Sequence, residues 1–141
     1  MDVRAHFRLN DHGIDAAALR RELEDAHCGA VIAFDGVVRD HHDGRRVSEL
    51  RYEAFAELAV SEGRAVVDEA AIKFAVRRIV CEHRIGLLGI GEIAVYVGVA
   101  AAHREAAFAA CRYVIDEIKS RLPIWKHEHY ADGAAEWIHP D

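Results

Sequence analysis

No stretch of this 141-residue chain approaches the roughly 18 uninterrupted apolar residues of a membrane-spanning helix. Its opening residues, from Met1 to His6, carry no apolar run of signal-peptide type. Only three cysteines occur, Cys28, Cys81 and Cys111, and no two form a C-x-x-C pair. Separated thiols in odd number, without metal spacing, predict reduced and mostly buried side chains in a cytoplasmic protein. Positive charge is short too. The 18 lysines and arginines face 24 acids, for a formal net charge of -6. That balance excludes a general nucleic-acid binder but leaves room for a small cationic pocket that recognises an anion locally. The G-x-x-x-x-G-K-[ST], G-x-G-x-x-G and G-x-S-x-G patterns are all missing, which removes P-loop, dinucleotide and nucleophile-elbow readings. Among ten histidines the densest groups are His41-His42 and His127-x-His129. Neither has a cysteine or carboxylate at a zinc spacing, so no metal and no cofactor is expected.

A composition of 52% hydrophobic and 30% charged residues predicts a soluble globular chain, and the absence of linkers and repeats predicts one domain over 1–141. Strands are expected at 3–9, 30–39, 47–55, 78–85 and 92–99, with 40–46 a polar loop and 86–91 a glycine-rich turn. Helical spacing of Ala16, Leu19, Leu23 and Ala26 predicts a helix over 14–25. A second helix spans 56–74, with Leu58, Ala65, Val66, Ala70 and Phe74 towards the core. A third spans 103–122, with Phe108, Cys111, Ile115, Ile118 and Leu122 on one stripe. The remainder, 124–141, reads as extended with a turn at Asp132-Gly133. The fold class is therefore α+β, with a mainly antiparallel sheet and helices packed on it.

Lys119 falls in the last turn of the third helix and Lys126 follows across Pro123. Proline cannot continue the helix and drives Leu122 towards an extended conformation, so the chain turns and Lys126 returns alongside Lys119. Repulsion between two ammonium groups favours a neutral, nucleophilic amine. A cation at a helix C-terminus equally serves to complement the dipole. At the other end of that helix, His103-Arg104 brings two donors to free backbone N–H groups, a natural anion site. Arg39 leaves a buried strand for a glycine-containing loop, a common position for a ligand contact. Glu128 is placed to orient Lys126 or to accept a proton.

The ordered set Phe34-x-Gly36-x-Val38-Arg39, Tyr52-Glu53-Ala54, His83-Arg84-x-Gly86, Gly91-Glu92, Val97-x-Val99, His103-Arg104-x-x-Ala107-Phe108 and Lys119-x-x-x-Pro123-x-Trp125-Lys126-x-Glu128 resembles the large, catalytic subunit of molybdopterin synthase. The resemblance runs over roughly residues 29 to 137. It implies an α/β hammerhead with additional C-terminal strands. It also implies a sulfurtransferase of molybdenum cofactor biosynthesis that converts cyclic pyranopterin monophosphate into the dithiolene of molybdopterin. The sulfur would come from the C-terminal Gly-Gly thiocarboxylate of a small ubiquitin-like carrier, bound at each end of a homodimer to make a heterotetramer. Carried onto this chain, the catalytic residues would be Lys119 and Lys126. The substrate-binding set would be Val37, Val38, Arg39, His103, Arg104, Lys119, Lys126, His127 and Glu128, with His127 contributing backbone.

Two departures accompany the resemblance. The family usually has serine near 101, where this chain has Ala101, so a helix-capping hydroxyl is expected to be missing, at a cost of about 1 kcal/mol. A longer C-terminal extension is expected to be absent. A reading from a different class is a non-catalytic module of the same fold that keeps a pterin or carrier-tail pocket; both lysines together with Arg39 and Arg104 count against it. Fifteen residues separate Arg104 from Lys119, about 22 Å along a helix. If both ends touch one substrate, the simplest geometry takes Lys119 and Lys126 from one chain and His103-Arg104 from its two-fold mate.

Overall fold

The computed structural model describes residues 2–139. In chain order the elements are β1 (Arg4–Asn10), α1 (Ala16–Arg21), β2 (Ala30–Val37), β3 (His41–His42), β4 (Arg45–Ala54), α2 (Ala56–Phe74), β5 (Arg78–Arg84), β6 (Gly86–Gly89), β7 (Ile93–Ala101), α3 (Arg104–Arg121), β8 (Ile124–Tyr130) and β9 (Ala135–Ile138). They form two sheets. The first has the order β1-β5-β7-β2, and the second has β3-β4-β8-β9 with β6 beside β4. Only β1 and β5 pair in parallel; the other pairings are antiparallel. This is the expected α+β hammerhead-type class with added C-terminal strands.

All seven residues of β5 are buried, because the first sheet is covered on both faces. Ile79, Cys81, Val97 and Val99 pack with the small and β-branched residues of α2 and α3. Val80, Tyr96 and Ala100 pack on the other side with Leu19 and Leu23 from α1 and the turn after it. Charged residues inside β5 are paired where they lie. Arg78 meets Asp25 at 3.0 Å, Glu82 accepts from Asn10 at 2.8 Å, and Arg84 donates to Glu92 at 3.0 Å.

Several sequence expectations need correction. The first helix is only Ala16–Arg21, started by Asp15, whose side chain accepts from the Ala18 N–H at 3.0 Å. The loop 40–46 is a tight hairpin. His41 and His42 pair with Arg46 and Arg45, around Asp43 and Gly44, which both have positive φ. That is the backbone of a two-residue hairpin turn, and Asp-Gly was its signal. Within 86–91, only the end is a turn. Gly86, at φ 93°, lets the chain leave the first sheet, and β6 then pairs with β4 and buries Leu88.

Leu58 and Phe108 are 54% and 59% exposed, not core. The buried stripe of α2 runs through Ala59, Gly63, Val66 and Ala70, and that of α3 through Ala107, Cys111, Val114 and Ile118. Each exposed residue sits one position, about 100° of helix rotation, off that line. The N-cap of α3 is His103, which makes no side-chain capping bond. Ala101 lies within β7 opposite Ala30, so a hydroxyl there would not cap the helix.

Gly63 has a packing role. A Cβ at this position would run into the ring of Phe7, which lies against the backbone of α2. Alanine in a helix interior normally gains about 1 kcal/mol over glycine. Here overpacking, typically about 1–3 kcal/mol, opposes it from a fully packed site. Gly63→Ala is therefore expected to lower the urea midpoint; a raised midpoint would mean that Phe7 yields without cost.

Candidate active site

The last turn of α3 and the start of β8 are held together by the reversal at Pro123. Leu122 ends the helix in an extended conformation, φ -79° and ψ 138°, with its N–H still bonded to the Ile118 carbonyl. This is the conformation that a following proline imposes. The Ile124 N–H then donates to the Leu122 carbonyl at 2.9 Å, and β8 runs back antiparallel to β4 with Lys126 opposite Tyr52. Arg121 pins the helix end to α2 through Glu69 at 2.7 Å and Glu62 at 3.2 Å.

Lys119 and Lys126 consequently line one cavity of about 200 Å³. Val37 and Arg39 enter it from the end of β2, Tyr52 from β4 and His83 from β5, over apolar side chains that include Ile118 and Leu122. The lining holds three cations and no carboxylate. A wider, open groove of about 810 Å³ lies alongside, between β2 and α3. Phe34 and Phe108 line the groove, and Lys119 and Ile115 border both spaces.

Behind Lys126 lies Glu128, only 3% exposed. Its Oε2 is 3.6 Å from the Lys126 Nζ. Burial opposes ionisation of this carboxyl, but the hydrogen bond with His42, the Lys126 charge and the Tyr130 hydroxyl outweigh it and hold it below the usual carboxylate range. His83 is buried, its Nδ1 donating to the Arg84 carbonyl at 2.8 Å. Its ring meets Tyr52 edge-on at 4.9 Å. Burial pushes the imidazole down to about 4, against the carbonyl hydrogen bond and with some help from Lys119. The Tyr52 phenol is pushed up to about 12, by burial first and then by the Glu128 charge.

The structure brings together Val37, Arg39, Lys119 and Lys126, with Glu128 just behind. Other expected site residues fall elsewhere. Val38 is a core residue whose N–H and carbonyl are taken by Glu92 and Gly91; it carries Arg39 to the cavity without lining it. His103 and Arg104 are exposed at the far end of α3 and do not reach the cavity of their own chain. The His127 ring sits on the opposite face of β8 from Lys126 and stacks on Trp137 at 4.4 Å, which leaves only its backbone near the site. Tyr52 and His83 were not assigned a role from sequence. The signal was strand alternation, which puts Tyr52 in line with Leu50, and His83 in line with Cys81 and Ile79.

The family described as "MoaE protein" matches residues 9–121, more than half of the chain. The chain belongs to this family. The MoaE match includes Arg39, His103, Arg104 and Lys119 and ends before Lys126. Among curated relatives, the "Molybdopterin synthase catalytic subunit" of Oryza sativa subsp. indica is 44% identical over 120 residues, covering 85% of this chain and 62% of that protein. The protein of the same description from Thermoplasma volcanium is 38% identical over 135 residues, covering 96% and 98%. The chain thus spans about 62% of the length of the rice relative. Among solved structures, that described as molybdopterin synthase from Staphylococcus aureus superposes with a TM-score of 0.87 at 33% identity, covering 92% of this chain and 94% of that one. Among the described residues no group of three or more His, Cys, Asp or Glu is placed to hold a metal ion. No described helix is long and apolar enough to cross a membrane.

The buried imidazole gives the MoaE-family site a measurable pH signature. A histidine near 4 in the folded chain and about 6.5 when unfolded stays neutral on folding. Its contribution is complete above the unfolded value and is lost as pH falls from there towards about 4. Between pH 7 and pH 5 this amounts to about 2 kcal/mol. Denaturant unfolding at the two pH values is expected to show that loss, and His83→Gln is expected to flatten it. An equal pH dependence in the variant would assign the effect to other groups.

Proposed function

We propose that this chain is the catalytic subunit of a molybdopterin synthase, with residues 1–141 acting as one catalytic domain. In this reading it is a sulfurtransferase that builds the molybdopterin dithiolene from cyclic pyranopterin monophosphate. The observation that carries the proposal is the cavity lined by Arg39, Lys119 and Lys126 without any carboxylate, in a chain of net charge -6 and of the MoaE family. The relatives' description as a catalytic subunit supports a second chain. That partner is the small ubiquitin-like carrier with a C-terminal Gly-Gly thiocarboxylate, whose tail would enter the cavity.

Attack of the thiocarboxylate sulfur on a substrate carbon displaces an oxygen. Charge develops on oxygen, and the leaving oxygen needs a proton. Lys119 and Lys126 supply the positive charge and the proton donor at that place. Arg39 holds an anionic group of the substrate through its planar fork of donors. Glu128 orients Lys126, Val37 shapes a wall, and the backbones of Val38 and His127 hold the neighbouring Arg39 and Lys126 in place. Three separate free thiols agree with action in the reducing cytoplasm.

His103 and Arg104 join this scheme through a second copy of the chain. They open α3, whose last turn carries Lys119, too far away to share a small substrate within one protomer. The edge strand β2, with Phe34 and the neighbouring Phe108 exposed beside the open groove, supports an isologous homodimer at the centre of a heterotetramer. Each site would then combine Arg39, Lys119 and Lys126 of one protomer with His103 and Arg104 of its mate.

Purified protein mixed with thiocarboxylated carrier and cyclic pyranopterin monophosphate tests the assignment by dithiolene formation. Lys119→Ala is expected to lower turnover by on the order of 100-fold or more with thermal unfolding unchanged. In the same assay Arg39→Ala should weaken substrate binding and Arg39→Lys should restore it only in part. Near-normal turnover of the Lys119 variant would remove this residue from the mechanism.

Mixing two inactive variants, Lys119→Ala and Arg104→Ala, tests the composite site. Each mixed dimer would contain one doubly damaged and one intact site. Random exchange makes about half of the dimers mixed, so about a quarter of wild-type activity should return. No recovery despite demonstrated exchange would confine the site to one chain.

A further inference from the structure

His41-His42 has no part in the scheme above, yet the hairpin of β3 and β4 folds His42 directly onto the site. Its Nδ1 lies 2.6 Å from the Glu128 Oε1. An ionised carboxylate only accepts, so Nδ1 carries the proton and donates. The Tyr130 hydroxyl donates to the same Oε1 at 3.0 Å. Two donors thus hold one oxygen of a buried carboxylate, and the other, Oε2, faces the Lys126 Nζ at 3.6 Å, an ion-pair separation just beyond hydrogen bonding. The remaining charged groups around this cluster are Asp43, 3.5 Å from the His42 Nε2, and Glu136, within 3.2 Å of the Tyr130 hydroxyl. Arg45 lies 3.6 Å over the Tyr130 ring and pairs with Asp132 and Glu136.

We infer that His42 is a positioning residue for Lys126: by holding one oxygen of Glu128, it keeps the carboxylate from closing onto the ammonium. The role rests on the reading of Lys126 as a catalytic amine, but the contact itself is testable without turnover. Without the His42 donor, Glu128 is free to rotate and to close the 3.6 Å gap to the Lys126 Nζ, so the amine is held in a tighter contact and is less available to react. A shorter side chain with an amide restores the contact, because the Nδ2 of asparagine reaches where the Nδ1 of histidine lies.

The test is the rate at which sulfo-N-hydroxysuccinimide acetate acetylates Lys126 at pH 8, followed by peptide mass spectrometry on the full chain. His42→Leu is expected to slow this labelling about threefold, and His42→Asn to return it to the wild-type rate. Simple loosening of the hairpin would expose Lys126 and accelerate labelling, so an unchanged or faster rate in His42→Leu overturns the inference. In a Glu128→Gln background, His42→Leu should have no further effect; a persisting effect would show that His42 does not act through Glu128, and would also overturn it. Dithiolene formation by Lys126→Ala is read separately. Full turnover there removes the catalytic reading of Lys126, while the labelling rates decide the contact alone.

Discussion

The two-sided burial of β5 is the constraint from which the site follows. Its central position fixes α2 and α3 on one face of the first sheet, and so fixes where the last turn of α3 can lie. Its end, at His83 and Arg84, is also where the chain turns at Gly86 into β6 and the second sheet. β6 sits beside β4, β4 beside β8, and β8 carries Lys126. The cavity is the place where the two sheets meet, which explains why its lining is drawn from β2, β4, β5, β7, α3 and β8 although no segment contributes more than a few side chains. A buried strand end gives that meeting point a rigid floor, the arrangement in which reacting groups are held most closely to position.

Much of this was legible in the sequence because it is written locally. The span of α2 and the reversal at Pro123 follow from helical periodicity and from what proline forbids, and both were read correctly. Features decided by distant partners were not legible. β6 is a strand only because β4 offers it hydrogen bonds, and Gly-Leu-Leu-Gly taken alone reads as a turn. Leu58 and Phe108 have the composition of core residues, but the stripe that meets the sheet passes through the small residues beside them. Val38 lies between two lining positions, Val37 and Arg39, and its side chain turns into the core. His42 was visible as part of a histidine pair, yet the contact that gives it meaning joins residues 86 positions apart.

Many of the arginines outside the cavity are paired where they stand. Arg77 and Arg78 meet Asp25, Arg84 meets Glu92 and Arg121 meets three glutamates of α2 and α3. Within this acidic body the cavity gathers Arg39, Lys119 and Lys126 with no carboxylate in its lining, and Lys126 meets Glu128 from behind. This has a kinetic consequence for any anion that uses the cavity. At a distance it meets a repelling field, and only within about a Debye length, roughly 8 Å at physiological salt, does the lining attract it. Moderate salt screens the long approach before it weakens the final contact, so encounter should quicken as salt is first added, the opposite of the slowing seen when a basic surface steers an anion.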